Sequence, residues 1–328
     1  MVHTVPDWPV RASYDFLLPV NLLIEPAVPP PGVAPLTLKP DDLPVRPLER
    51  GDYVQLEGFV VSEVDVHQNT LTLNAPPRVD GLPAAYRVRL HPVPTDEIQQ
   101  QVGDEVTPVA GRIVETRADQ LQRIVQEALA FSGDLTVAAL TSPHGTTLPN
   151  PLALLPTLLS RTRNVRVSTI HGDLNLENIL VEPTGRTVSL IDFATVRRDH
   201  ALHDLLRLET EVVTKLLPEI LAGSTLLVET IRMFYEQLHE AVSDQEHRAP
   251  ARPLLADLDK PFQTLVTIRS MARQCLFDAH DWGEYYEGLA LYLVGALKFK
   301  NLDQLSKRVT FWTAAVVCSL VAPVVRRA

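Results

Sequence analysis

Cysteine is scarce in this sequence: Cys275 and Cys318 are the only two in 328 residues, and their separation matches no metal-ligand spacing. They read as buried thiols in a reducing compartment. Positive charge is also short, with 30 Lys and Arg against 40 Asp and Glu and a net charge of −10. Bulk electrostatics therefore do not favour nucleic acid or an anionic membrane as a non-specific partner. Long apolar runs are nearly absent. The one membrane candidate, residues 309–325 between Arg308 and Arg326, is slightly short for a span and contains Thr313, Ser319 and Pro323, so it reads as a buried C-terminal helix. The opening MVHTVPDWPVRASYDF lacks the basic-then-apolar layout of a signal peptide. These absences predict a soluble cytoplasmic protein with no membrane partner. There is no internal repeat and no long charged tract. No G-x-G-x-x-G occurs, and no lysine lies between Lys39 and Lys215, which removes an ordinary glycine-rich phosphate loop.

What the chain has in quantity is apolar character, 45% of residues, on a length that suits about two domains. Residues 1–47 are dense in proline: Pro29, Pro30 and Pro31 are followed by Pro35, Pro40, Pro44 and Pro47. Proline removes backbone donors and fixes φ, so a linker without regular structure is predicted between 26 and 47, after one anchoring apolar segment at 16–25. Residues 48–116 are β-rich. Turn signals at His67-Gln68-Asn69, Pro76-Pro77, Asp80-Gly81-Leu82-Pro83 and Val102-Gly103-Asp104 divide them into four or five short strands. The layout resembles a small OB-fold barrel, in architecture alone. Its aromatics are Tyr53, Phe59 and Tyr86, and Arg78, Arg87, Arg89 and Arg112 are offset by Asp52, Glu57, Glu63 and Asp65. A structural or protein-contact role is preferred there, with oligonucleotide binding as the weaker alternative. Residues 117–328 are helical in pattern. Leu121, Ile124, Val125, Ala128 and Leu129 share one face that closes at Ser132-Gly133-Asp134. Helical segments follow at 152–159, 201–217, 226–242, 262–277, 285–297 and 309–321, with a polar break at 243–253. The predicted fold class is α+β.

The chemistry concentrates in residues 167–194, VSTIHGDLNLENILVEPTGRTVSLIDFA. Phosphoryl transfer depends on positioning and charge neutralisation, and needs a carboxylate for the acceptor proton and hard oxygen ligands for Mg²⁺. Asp173 lies on a tight loop after a strand at 165–169. Asn178, five residues on, can turn back toward the same point with an amide oxygen. Asp192 ends the next strand and offers a second carboxylate. A hairpin around Pro183-Thr184-Gly185 brings Asp192 close to Asn178.

HGDLNLENIL followed by LIDFA resembles the catalytic-loop and metal-binding pair of the aminoglycoside phosphotransferase and choline kinase group, within the protein-kinase-like fold. The pattern is H-G-D-x-x-x-x-N, then I-D-[FW]-x. The resemblance implies a mostly helical C-lobe with a catalytic β-hairpin, Asp173 as catalytic base, Asn178 and Asp192 as Mg²⁺ ligands beside ATP, and His171 as a brace of the loop. Asp204, in Asp204-Leu205-Leu206, matches the helix-start aspartate that supports the catalytic loop in the family. Gly172 stands where protein kinases commonly carry arginine, and Ala194 where they commonly carry glycine. HGDLNLENIL, LIDFA and HDLLRLETEV together are similar to phosphotransferase-like domains of multidomain bacterial conflict and signalling proteins, the ternary-complex-associated group. The implied substrate is a hydroxyl of a small molecule or cellular component, protein included.

A kinase-like N-lobe is not recognisable. Arg87 or Arg89 would be poor substitutes for its lysine, because a guanidinium is not a compact ammonium. Either an upstream lobe or partner protein completes the machine, or the chain is a pseudokinase-like interaction module of a signalling or defence system. Other polar residues receive plainer readings. Asn175 and Glu177 read as loop surface, Asp199 and His200 as a turn, and Glu209 and Glu211 as a solvated helix face. Arg161, Arg163, Arg166, Arg197 and Arg198 read as surface salt bridges.

Overall fold

The computed structural model describes residues 2–40, 47–76, 87–93, 100–130, 134–243 and 256–321. The expected turn at Asp80-Gly81-Leu82-Pro83, the aromatic Tyr86, Arg78, Ser132-Gly133 and the polar break beyond Ser243 lie outside them. The chain forms two compact units, residues 11–123 and residues 1–10 with 124–328. The protein is mixed α+β.

The first unit is an open, curled seven-stranded sheet. Its strands run in the order Leu36–Leu38, Tyr53–Leu56, Val109–Thr116, Leu22–Pro26, Val88–Leu90, Thr70–Asn74 and Val60–Asp65. Two of these fall before the β-rich region read from the sequence. Leu22–Pro26 is central, antiparallel to Val109–Thr116 and parallel to Val88–Leu90. Leu36–Leu38 corrects the expectation of an irregular linker: its flanking prolines are tolerated because it is an edge strand with one hydrogen-bonded neighbour. Leu22, Ile24, Val54, Leu56, Phe59, Leu73, Val88 and Ile113 form its core. Gly111 is required there, since a Cβ would stand 2.4 Å from the Ile24 side chain and 2.7 Å from the Glu25 carbonyl oxygen. Buried Asp15 takes both arms of Arg117, at 2.7 and 2.8 Å, an ion pair that ties the start of the unit to its end.

The second unit is built around a three-stranded antiparallel sheet with Thr162–Ile170 in the middle. One neighbour, His3–Pro9, comes from the stretch read as a lead-in, and its register pairs His3 with Val167 and Pro9 with Thr162. The other is Arg197–His200, where Val167 faces His200. Helices His203–Glu211, Leu227–Ser243, Asp259–Cys275, Gly283–Ala296 and Gln304–Val321 make up the body. Gly283–Ala296 is buried all round, as expected of a helix with no polar face, and Gln304–Val321 packs on it. Among the described residues no helix is long and apolar enough to cross a membrane. Cys318 is buried, and that burial pushes its thiol up to about 12, whereas Cys275 is half-buried.

The plainer readings of several charged residues are corrected here. Asp199 and His200 lie in a strand and are buried, not on a turn. Asp199 pairs with Arg197 and His203, and His200 with Glu284. Glu209 and Glu211 are buried rather than solvated. Glu209 forms a two-bond pair with Arg269, both fully buried, and accepts hydrogen bonds from the hydroxyls of Tyr235 (3.1 Å) and Tyr285 (2.6 Å). Arg161 and Arg163 meet the buried carboxylate of Glu287 instead of forming exposed pairs. His200 and Glu284, Glu209 and Arg269, and Arg161 and Glu287 lie 84, 60 and 126 residues apart in sequence, separations that local pattern reading does not capture.

Candidate active site

Strand Thr162–Ile170 runs directly into His171-Gly172-Asp173. The turn needs glycine. Gly172 has φ +86°, and a Cβ would sit 2.3 Å from the Thr195 carbonyl oxygen and 2.6 Å from Arg197 Nη1. The arginine found at this place in protein kinases is therefore excluded by backbone, and the guanidinium of Arg197 stands close to the space it would enter.

Asp204, in the first turn of helix His203–Glu211, accepts the backbone N–H of His171 at 2.7 Å and that of Gly172 at 2.9 Å. A carboxylate at a helix N-terminus is itself favoured by the helix dipole. Thr195 donates its hydroxyl to the His171 carbonyl at 3.0 Å. The buried ring of His171 bonds through Nε2 to the Ile191 carbonyl at 2.8 Å. Because a carbonyl only accepts, Nε2 carries a proton, and Nδ1 is buried with no hydrogen-bond partner among the described residues.

The hairpin forms as expected, with Ile179–Glu182 against Thr187–Leu190 and Ile179 facing Leu190. Its register brings the two metal-binding candidates together: Ile191 N–H donates to the Asn178 carbonyl at 3.1 Å, one residue before Asp192. Asn178 is buried and donates through Nδ2 to the Asp173 carbonyl at 2.9 Å. Asn175 supports the turn between them, its Oδ1 accepting from the N–H groups of Glu177 and Asn178. A chain of hydrogen bonds thus runs from Asp173 through Asn178 and Ile191 to His171. Asp192 adopts left-handed backbone angles (φ 60°, ψ 66°), which a short polar residue tolerates better than most. The hairpin before it is apolar yet exposed at Leu180, Val181, Val188 and Leu190, as is Phe193 just after it.

For a cation the donor set is hard: the Asn178 amide oxygen, with Nδ2 already committed to Asp173, and the Asp192 carboxylate. Two protein oxygens suit Mg²⁺, which keeps waters and takes phosphate oxygens. Among the described residues no group of three or more His, Cys, Asp or Glu stands ready to hold a metal alone.

Sequence reading missed the cations beside Asp173. Arg207 donates through Nε to Asp173 Oδ1 at 3.2 Å and pairs through Nη1 with Glu211 at 2.7 Å. Lys215 lies 2.8 Å from Glu211 and 3.2 Å from Glu177. The signal was present as the alternation Arg207, Glu211, Lys215 at four-residue spacing. Arg87 and Arg89, considered for the missing lysine, are committed elsewhere. Arg87 donates to the carbonyls of Asp15 and Leu18, and its burial lowers its pKa to about 10. Arg89 meets Thr72 and Glu63.

The fold is mixed α+β, and the candidate residues His171 and Asp173 directly follow its central strand Thr162–Ile170. The chain belongs to the ternary complex associated domain 9 family, whose model matches residues 28–298. Neither the curated proteins nor the solved structures contain a match.

Proposed function

We propose that this protein is an ATP- and Mg²⁺-dependent phosphotransferase of the protein-kinase-like type. The observation that carries the reading is the hydrogen-bond chain joining Asp173, Asn178, Ile191 and His171, clamped from below by Asp204. Asp173 accepts the proton of an acceptor hydroxyl as its oxygen bonds to the γ-phosphorus, while the bond from that phosphorus to the bridging oxygen breaks and ADP leaves. Asn178 and Asp192 would hold Mg²⁺, which would supply charge neutralisation on the phosphates. His171 and Asp204 are positioning residues, since both bond to backbone.

Calorimetry with ATP and Mg²⁺ on the intact chain and on Asp192→Ala tests this. Metal-dependent binding that the substitution abolishes supports it, as does ATP turnover lost in Asp173→Ala. Absence of nucleotide binding by the intact chain counts against an autonomous enzyme.

A second reading, an interaction module, is favoured by one observation. The hairpin before Asp192 exposes Val181 and Val188 at 63% and 64%, and the turn after it exposes Phe193 at 58%, apolar surface of the kind that partners cover. The family's name speaks of a ternary complex, which fits a protein partner at that surface. Under this reading Val181→Lys with Val188→Glu lowers the binding of a hydrophobic dye while the melting temperature stays unchanged. Equal dye binding by the variant would remove the hairpin as the sticky surface.

A further inference from the structure

Phosphoryl transfer requires a cation against the transferred group, and this sequence has no lysine between Lys39 and Lys215 to provide it from the β-rich unit. Four arginines of that unit are engaged locally: Arg87 with two carbonyls, Arg89 with Glu63, Arg112 with Glu25 and Arg117 with Asp15. The cations that do touch the catalytic-loop candidates rise from the helical body, on one face of the helix that starts at His203 and continues through a π-helical turn at Val212–Leu216. Pro218 lacks a backbone N–H just beyond that turn, which accounts for the loosened helical pitch, and such turns recur at functional sites.

We propose that Arg207, seconded by Lys215, is the phosphate-binding cation of this site, engaging the γ-phosphate of a nucleoside triphosphate. The inference rests on the phosphotransferase reading. Arg207 is held from two sides that differ in permanence. Glu211, 4% exposed at its side chain, pairs with Nη1, and the Phe299 ring lies 5.8 Å from the guanidinium carbon, so the plane of the group is fixed. Asp173, 45% exposed at its side chain, meets Nε at 3.2 Å in a pair that water screens and that exchanges at little cost. A guanidinium has five N–H donors in a planar fork matched to phosphate, so a group held in this plane by Glu211 still has donors to offer an arriving phosphate. Release of Asp173 from Arg207 would also free that carboxylate for the acceptor hydroxyl. Lys215 shares Glu211 with Arg207 and reaches forward to Glu177, whose side chain is 82% exposed, which extends the cationic edge toward solvent.

The test is the affinity of the intact chain for ATP and for ADP, each with Mg²⁺, compared with R207Q, R207K and K215Q. The expected result is that R207Q weakens ATP by about tenfold to a hundredfold, the scale of a hydrogen bond to a charged group, and ADP by less than about threefold. R207K recovers part of the ATP affinity. K215Q, at a more exposed side chain, weakens ATP by a smaller factor and carries the test if R207Q does not fold. Variants that melt like the parent and keep its ATP-to-ADP ratio would overturn the role of these cations and leave the phosphotransferase reading standing. No binding of either nucleotide by the parent would remove that reading itself, and this role with it.

Discussion

Asp204 reaches across from a helix start to accept the His171 N–H at 2.7 Å, and its second oxygen takes the neighbouring Gly172 N–H at 2.9 Å. One carboxylate therefore orients two successive peptide planes just ahead of Asp173. Asp204→Asn keeps the shape but offers only one acceptor oxygen, so an amide NH₂ faces a backbone N–H. The expected loss is about 1.5–3 kcal/mol by urea unfolding, the worth of a hydrogen bond to a charged group, and more for Asp204→Ala. A loss under about 0.5 kcal/mol for both would mean that the clamp does not hold the loop.

Gly172→Ala places a methyl group on the Thr195 carbonyl at a backbone angle that only glycine adopts freely. The expected cost is about 1–3 kcal/mol, with the damage confined to the loop. Far-ultraviolet circular dichroism should retain the helical signal while the Mg²⁺-dependent nucleotide binding proposed for the parent disappears. Unchanged binding would show that the loop accepts a side chain at this position.

Arg269 and Glu209 form a fully buried ion pair, enclosed by the rings of Tyr235, Tyr285 and Tyr286 at 5.1–5.5 Å from the guanidinium carbon. Arg269→Met strands a carboxylate in that environment and should cost about 3–5 kcal/mol. Glu209→Leu combined with Arg269→Met should recover most of it, because two apolar groups need no pairing. A double variant as unstable as the single would instead make the pair a net source of stability.

Acid should unfold the protein partly through His203. This ring is fully buried between Tyr292, whose hydroxyl lies 2.8 Å from Nδ1, and Asp199, 3.3 Å from Nε2. Burial lowers its pKa from the ordinary 6.5, against a smaller opposing pull from Asp199. The folded state thus holds His203 neutral at a pH where the unfolded chain protonates it. The unfolded state binds more protons below about pH 6.5, so stability is complete above that value and falls as pH drops through it toward the lowered pKa. His239, lowered in the same direction by burial and by Arg269, adds to the slope. Unfolding free energy measured from pH 8 to pH 5 should decline below 6.5, and His203→Asn should flatten the decline. A profile unchanged by that substitution would assign the slope to other groups.

Much of the site was legible because its information is local. The spacing from Asp173 to Asn178, the turn at Pro183-Thr184-Gly185 and the apolar alternation around it are enough to set a hairpin in register, and the register carries Asp192 to Asn178. The residues that were misread take their meaning from distant partners. Glu209 looks like an ordinary helix-surface acid until Arg269, 60 residues further on, closes over it, and Asp199 looks like a turn until Val167 and Ser168 draw it into a strand. His3–Pro9 carries two prolines and little alternation, so its pairing is set by the exposed edge of Thr162–Ile170 rather than by its own pattern.

That same strand imposes an order on synthesis. The Asp7 N–H donates to Asn164 Oδ1, 157 positions later in the chain, so the early segment has no sheet to join until the whole curled unit has been made. The inserted unit can acquire its own core first. The strand that leads to Asp173 gains its second neighbour late, through contacts of high sequence separation that are slow to form. A ribosome-bound chain halted before residue 162 should therefore protect the curled sheet from protease while leaving residues 3–9 cleavable.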